Sequence, residues 1–362
     1  MNILVTGGAG FIGGHLVKQL TDNPDNQVHI VDDLSSNPVP VEVLLNDLNH
    51  PANLTYEIAP IDTWLANRPE AKWDIIYHLA APVGPAGVLQ HGGVMAHHIL
   101  HDTMALIDLA KRCECRLIDV STSEIYGGGK AGYCSETMPR MIQAETTIRL
   151  EYAVGKLAAE TALINQCRLH GLDAVIIRPF NVSGPRQSGK GGFVLPRFVA
   201  QAMTGLPLTV FGDGTQIRAF THVYDIVDGI IQAAQCGKTG TAYNIGNPDN
   251  KTTINHLAQT VIEIVGHGEI SHVDPVTIYG PHYTEAADKY PDANRAMSEL
   301  GWQPQFTISE TVRSVYNYMT FSEPPIFREL AGIEVQHPVW EKNGNHSTWN
   351  IDRIWSPFID ST

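Results

Sequence analysis

The chain reads as an α/β protein built on a doubly wound parallel sheet with a smaller mixed α/β lobe, and three observations predict that fold. Ile3-Leu4-Val5 is a short apolar run followed by the glycine-rich stretch Thr6-Gly7-Gly8-Ala9-Gly10-Phe11-Ile12-Gly13-Gly14, after which Phe11, Ile12, Leu16, Val17 and Leu20 recur at helical spacing. A second apolar run, Val28-His29-Ile30-Val31, ends in Asp32 about 20 residues after the glycines. Beyond it, short apolar runs alternate with helical patterns through the first half of the chain, which is the signature of successive β-α-β units.

The opening unit carries the first chemical information. Glycines at a strand-to-helix junction permit a tight turn and let a phosphate approach bare N–H groups at the positive end of a helix. This predicts a bound dinucleotide, with Gly7, Gly10, Phe11, Ile12 and Gly13 around its pyrophosphate. Asp32, with Asp33 beside it, stands where a carboxylate accepts hydrogen bonds from ribose hydroxyls. A carboxylate there repels the 2′-phosphate of NADP, and no Arg follows in Asp33-Leu34-Ser35-Ser36. The pattern therefore predicts NAD.

Later elements follow the same alternation. Ile75 to Ala80 reads as a strand, Met95 to Arg112 as a helix and Arg116 to Val120 as a strand, then a long helix from about Tyr152 to His170 and the strand Ala174 to Arg178. From Pro179 to Gly192 the Gly, Pro and Asn content rises, marking loops at the carboxyl ends of strands, where such sheets contact their substrates. The expected organisation is a nucleotide-binding unit over 1–180 with a return segment at about 219–246, a lobe interleaved with it over 181–320, and an arm over 321–362. The arm is rich in Pro and Trp (Pro324, Pro325, Pro338, Trp340, Trp349, Trp355, Pro357) and lacks periodicity, so it is expected to lie extended over the body or over a partner.

Composition narrows the class. With 43% hydrophobic and 17% charged residues the 362-residue chain has ample core. A net charge of −14 argues against nucleic acid and anionic membrane as partners, so an anionic ligand must be held by a few local cations. Five cysteines are an odd number, and Cys113-Glu114-Cys115 has neither zinc-knuckle nor thioredoxin spacing. Reduced thiols, the absence of a leader pattern and the absence of an apolar run of membrane length lead to the expectation of a cytoplasmic protein.

Tyr152-Ala153-Val154-Gly155-Lys156 sets a phenol and an ammonium on one helix face. A tyrosine titrates near about 10, and a neighbouring cation moves it toward neutrality, so Tyr152 is expected to act as the acid–base group beside the nicotinamide, with Lys156 as its partner.

Several further motifs accompany this pair. They are Thr6-Gly7-Gly8-Ala9-Gly10-Phe11-Ile12-Gly13, His78-Leu79-Ala80-Ala81, Ser121-Thr122-Ser123-Glu124-Ile125-Tyr126-Gly127, Arg178-Pro179-Phe180-Asn181, Gly184-Pro185-Arg186, Leu208-Thr209-Val210-Phe211-Gly212-Asp213-Gly214, Arg218-Ala219-Phe220-Thr221-His222-Val223 and Leu300-Gly301-Trp302. Over about residues 1 to 320 the chain resembles the extended short-chain dehydrogenase/reductases that modify nucleotide sugars, whose Rossmann-type fold the resemblance implies. Leu79, Ala80, Ala81 and Arg178 would then join the cofactor contacts. Pro82, Arg149, Asn181, Arg186, Phe211, Arg218 and Lys289 would contact the nucleotide sugar, with Asn181, Arg218 and Lys289 at its diphosphate and Phe211 bordering the base. Arg suits phosphate oxygens by its forked donors.

Within that group, Thr122-Ser123-Glu124, Arg149 three residues before Tyr152, the insertion from Gly127 to Ile148 and the segment Ala80 to Pro85 resemble UDP-glucuronate decarboxylases. The resemblance implies oxidation of a uronic acid at C4, loss of CO₂ from the resulting β-keto acid, and a proton and hydride returned afterwards. Ser123 or Thr122 would bond the C4 oxygen, Glu124 would position the sugar or manage protons, and Arg218 would serve the carboxylate or protonate C5. A UDP-sugar 4-epimerase or an NDP-sugar 4,6-dehydratase is the alternative, and a non-catalytic NAD-binding scaffold a remote one. No metal is expected: His97, His98 and His101 have helical spacing, but a solvated or subunit-facing role is expected for them. Pro60 or Asp62 stands where an adenine-contacting Asp is expected, and a homodimer through the Met95 and Tyr152 helices is implied.

Overall fold

Hydrophobicity segregates along the first strand, Asn2–Thr6 (β1), whose residues after Asn2 are all buried, so it sits in the middle of a sheet covered on both faces. The structure, a computed structural model, describes residues 1–37, 39–67, 72–127, 132–140, 148–189, 192–279, 288–322, 340–343 and 346–349. Six further strands join β1: Gln27–Asp32 (β2), Leu54–Ile58 (β3), Ile75–His78 (β4), Arg116–Val120 (β5), Ala174–Pro179 (β6) and Ala242–Ile245 (β7). All pair in parallel, in the order β7-β6-β5-β4-β1-β2-β3. The order reverses between β1 and β4, which opens a crevice at the carboxyl ends of those two strands.

Each face of the sheet carries its own core. On one, helix Phe11–Thr21 lays Leu16, Val17 and Leu20 against Ile3, Val5 and Ile30, and helix Val223–Cys236 adds Ile226, Val227 and Ile230. On the other, helices Met95–Cys113 and Ile148–His170 bury Leu106, Ile107, Leu109 and Leu163 against Leu4, Ile76, Leu117 and Ile176. Each such side chain contributes roughly 1.5–3 kcal/mol of transfer free energy. Gly7 (φ +70°) lies so close to Ala80 that a Cβ would come within 2.6 Å of its amide nitrogen, and a Cβ on Gly13 would run into the Gly7 carbonyl. Those two glycines set the approach of helix to sheet.

The smaller lobe has a separate core in which helices Val194–Met203, Ile254–Val265 and Ile308–Phe321 pack through Leu195, Phe198, Leu257, Val261, Val312 and Met319. Short strand pairs tie it down, among them Leu208–Phe211 with Ile270–Val273 and Ile217–Ala219 with Lys251–Thr253.

Element boundaries depart from the sequence reading in informative places. The fourth strand stops at His78, and Leu79 and Ala80 turn away to border the crevice. The long helix starts at Ile148, so Arg149 lies in its first turn. Of the arm, Trp340–Asn343 and His346–Trp349 are described, and their backbones pair antiparallel where an extended course was expected; Pro324, Pro325, Pro338, Trp355 and Pro357 lie outside the described residues. In the insertion before the long helix, Tyr133–Cys134 pairs in parallel with Tyr290–Pro291, while 128–131 and 141–147 lie outside the described residues.

Candidate active site

A cavity of about 1000 Å³ runs along the carboxyl ends of the strands and into the smaller lobe. Its first half is built by the glycine turn: Gly7, Gly10, Phe11, Ile12 and Gly13 line it. Gly10 caps the first helix without a side-chain hydrogen bond, and the helix's first turn holds no acidic residue of its own. Asp32 ends β2 at the rim, where its two carboxylate oxygens accept from the Ala9 and Leu34 amides, each at 2.9 Å. Burial pushes this carboxyl up, and the Leu34 and Ala9 N–H donors oppose that shift. Asp33, Leu79, Ala80, Ala81 and Pro82 complete the wall, with Pro60 and Asp62 at the far end. A bare-backbone helix terminus and a fixed ribose-height carboxylate in one trough fit a dinucleotide.

The reacting groups sit at the middle of the trough. Beyond β5 the chain tightens into a one-turn helix, Ser123–Tyr126, capped by Thr122, whose Oγ1 accepts from the Glu124 amide at 3.1 Å. This turn presents Ser121, Thr122, Ser123 and Glu124 to the cavity opposite Tyr152 and Lys156. Tyr152 is 8% exposed and bonds the Thr122 side chain. Burial raises its pKa, and the Glu124 and Asp119 charges add to that despite the Thr122 bond. The expected pull of Lys156 on the phenol is not what dominates: the Lys156 ammonium donates to the Val120 carbonyl at 2.8 Å, and burial lowers its own pKa against Asp119, Glu160 and Asp102.

Glu124 is clamped. Its Oε1 meets Lys289 Nζ at 2.5 Å and its Oε2 meets Arg149 Nε at 3.2 Å. Burial alone would raise this carboxyl, but the Arg149 and Lys289 charges outweigh it and hold the group well below the usual carboxylate range. Lys289 reaches this position because it bridges to Arg218, its N–H donating to the Ile217 carbonyl at 3.2 Å.

Asn181, Phe211 and Arg218 line the lobe side of the cavity with Arg149. Asn181 has φ +37° and donates to the Ala219 carbonyl at 3.2 Å. Three expectations need correction. Arg178 is fully buried away from the cavity, paired to Glu160 at 3.0 and 2.6 Å and donating to the Tyr126 hydroxyl at 2.7 Å; its place on β6 turns it to the layer under helix Ile148–His170. Arg186 is buried behind the first helix, against Gly14, with Asp47 and Tyr318 among the charges around it, and does not line the cavity. Lys289, expected at the diphosphate, is tied to Glu124 just behind the wall and is not among the lining residues. Sequence reading also missed Arg197, whose guanidinium lies 4.1 Å over the Phe211 ring, and Asp119, buried beneath Lys156's helix. Arg197 carried no motif; the pairing arises only when helix Val194–Met203 meets the strand holding Phe211. His97, His98 and His101 border the cavity, and among the described residues no cluster that could hold a metal ion is present.

Residues 3–246 match the model of the NAD dependent epimerase/dehydratase family. The chain belongs to that family. As a family member it is an enzyme of NAD-dependent sugar chemistry on a Rossmann-type fold. It is 35% identical over 311 residues to UDP-glucuronic acid decarboxylase 3 of Arabidopsis thaliana, covering 86% of each chain. With the UDP-N-acetyl-alpha-D-glucosaminuronate decarboxylase of Bacillus cytotoxicus it shares 31% identity over 316 residues, covering 86% of this chain and 96% of the other. Among solved structures, the UDP-glucuronic acid 4-epimerase of Bacillus cereus in complex with UDP-glucuronic acid and NAD superposes with a TM-score of 0.73 at 26% identity, covering 88% and 98% of the two chains. The arm after residue 322 lies beyond the stretch that matches the family.

Proposed function

We propose that this epimerase/dehydratase family member decarboxylates UDP-glucuronate to a UDP-pentose or UDP-4-keto-pentose. The observation that carries the reading is the charge arrangement at Glu124: Arg149 and Lys289 pair with it, Lys289 bridges through its backbone to Arg218, and Arg149 and Arg218 line the same cavity as Tyr152, a setting suited to a carboxylate-bearing sugar. The relatives named as decarboxylases of uronic acids support it.

In this reading Gly7, Gly10, Phe11, Ile12 and Gly13 hold the pyrophosphate, Asp32 the ribose, and Leu79, Ala80 and Ala81 the face toward β4. NAD⁺, when bound, supplies the acceptor for the hydride of C4. Tyr152 takes the proton of the C4 hydroxyl, and Ser123 or Thr122 bonds that oxygen as it becomes a ketone. The C–C bond to the carboxylate then breaks, leaving its electron pair on the ketone-stabilised C5 and releasing CO₂; return of the hydride to C4, with a proton from Tyr152, would give the UDP-pentose, and its retention on the reduced cofactor would give the UDP-4-keto-pentose. Glu124, with Lys289 as a proton donor at its side, governs protonation at C5, while Arg149 and Arg218 hold the anionic ends of the substrate. Asn181 and Phe211 border the nucleotide.

The test is to incubate the protein with NAD⁺ and UDP-glucuronate and to follow CO₂ and the sugar by NMR. Release of CO₂ with a pentose product is expected. UDP-galacturonate formed without CO₂ would give the site to 4-epimerisation, the reading that the Bacillus cereus structure favours.

We also infer a homodimer formed through helices Met95–Cys113 and Ile148–His170, supported by the exposed apolar side chains Val94 and Val154 at that surface. Val154→Glu is expected to yield monomers by light scattering. A cytoplasmic location is supported by five free cysteines. No described helix is long and apolar enough to cross a membrane.

A further inference from the structure

Strands β1, β4 and β5 each carry a polar side chain at their carboxyl ends, and these three stand in register: Thr6 opposite His78, and His78 opposite Asp119. Two residues earlier the same strands present Leu4, Ile76 and Leu117 to the core beneath helices Met95–Cys113 and Ile148–His170, so the polar row shares that face. All three are buried, Asp119 completely. Thr6 Oγ1 and His78 Nδ1 satisfy each other at 2.8 Å. Asp119 is different: neither carboxylate oxygen has a hydrogen-bond partner among the described residues, and His78 Nε2 stands 4.0 Å away, beyond hydrogen-bond reach.

A buried carboxylate in that position needs a compensating charge. The groups facing it are few. From β4, His78 is neutral, since burial, then the Lys156 charge, pushes its pKa down to about 3. From β6, Arg178 is already held by both oxygens of Glu160. On the helix Met95–Cys113, Asp102 acts on Lys156 as a further acid, with His98 and His101 beside it, and Ser121 is uncharged. On helix Ile148–His170, Glu160 is committed to Arg178, which leaves Lys156, whose Nζ is bonded to the carbonyl of Val120, the residue after Asp119. Burial raises the Asp119 carboxyl to about 6 against the opposing Lys156 charge, so it is ionised at neutral pH.

We propose that Asp119 is a positioning residue whose carboxylate is the counter-charge that keeps Lys156 an ammonium and holds it against β5, ready to support Tyr152. The proposal rests on reading Tyr152 and Lys156 as the acid–base pair, and it adds a residue outside that pair and outside the cavity wall.

The test reads Lys156 directly. In NAD-loaded protein with lysine Cε labelled with carbon-13, the Lys156 signal is assigned by its loss in Lys156→Arg and its titration midpoint is compared between the native chain and Asp119→Asn. The midpoint is expected to fall by about one pH unit or more in the variant. The basic limb of the kcat profile is expected to move acidward with it, at little change in KM. An unmoved midpoint with kcat depressed evenly at every pH would overturn the proposal, because it would mean a packing role only. Should Asp119→Asn fail to fold, Asp119→Ser is read by the same criterion. A shifted midpoint in a protein that does not turn over UDP-glucuronate would uphold Asp119 and overturn the substrate reading alone.

Discussion

At the scale of single residues, the site holds opposed charge effects within a few ångströms. Tyr152 is buried beside two carboxylates that disfavour its phenolate, and the Thr122 side chain bonds its oxygen. Tyr152→Phe removes only that oxygen, so turnover is expected to fall by about 10²–10⁴-fold with cofactor binding retained; steady-state rates alongside bound-NAD content check this. Glu124 is the reverse case, its charged form favoured by Arg149 and Lys289. A carboxyl whose folded pKa is depressed adds stability that is complete above its unfolded value of about 4.3 and is lost as pH falls below it toward the folded value. Glu124→Gln removes the carboxylate charge that pairs with Arg149 and Lys289, so a loss of roughly 3 kcal/mol is expected at neutral pH, shrinking in acid as the native carboxylate also protonates. Thermal melts of both proteins across that range decide it, and a deficit constant with pH would assign the loss to packing.

Elements matter here chiefly through their ends. The first helix starts from a cap without a side chain and meets the sheet through Gly7 and Gly13, which have no room for a Cβ. Gly13→Ala is therefore expected to push helix from strand at a cost of about 1–3 kcal/mol and to weaken NAD binding together with it. Parallel measurement of melting temperature and NAD affinity checks that the two move as one. The long helix shows a different use of an end: by starting at Ile148 it places Arg149 where it reaches Glu124, one turn before Tyr152. A start at Tyr152, as the sequence pattern suggests, would have left that cation in a loop.

For the whole molecule, the smaller lobe is anchored to the sheet by the segment after Leu300. Trp302 is fully buried, its indole N–H donating to the Asp225 carbonyl at 2.7 Å, and the Asp225 carboxylate accepts from the Gln305 and Phe306 amides at 2.9 and 3.2 Å. These contacts join helix Val223–Cys236 to the chain that leads into helix Ile308–Phe321, so they fix how the lobe closes the cavity. Trp302→Ala is expected to cost about 3–5 kcal/mol. Its denaturant midpoint should fall, and KM for the nucleotide sugar should rise more than kcat falls.

The sequence by itself determined the layout of the sheet and the two ends of the chemistry. Glycine spacing, an acid after the second strand and Tyr152-x-x-x-Lys156 are local patterns, each set by backbone geometry within one strand-turn-helix unit or one helix face, and so they are legible without a fold. Arg178 and Arg186 were read onto the ligand because their motifs lie in loops after strands, whereas strand alternation and the back of the first helix turn them inward. Only tertiary structure decided which cations surround Glu124, since Lys289 is 165 residues away in the chain and arrives through its bridge to Arg218. The same holds for Asp119. Next to Val120 it reads as one polar residue in an apolar strand, and it acquires a partner only when β4, β5 and helix Ile148–His170 close around it and exclude water, which makes a single buried charge depend on its neighbour.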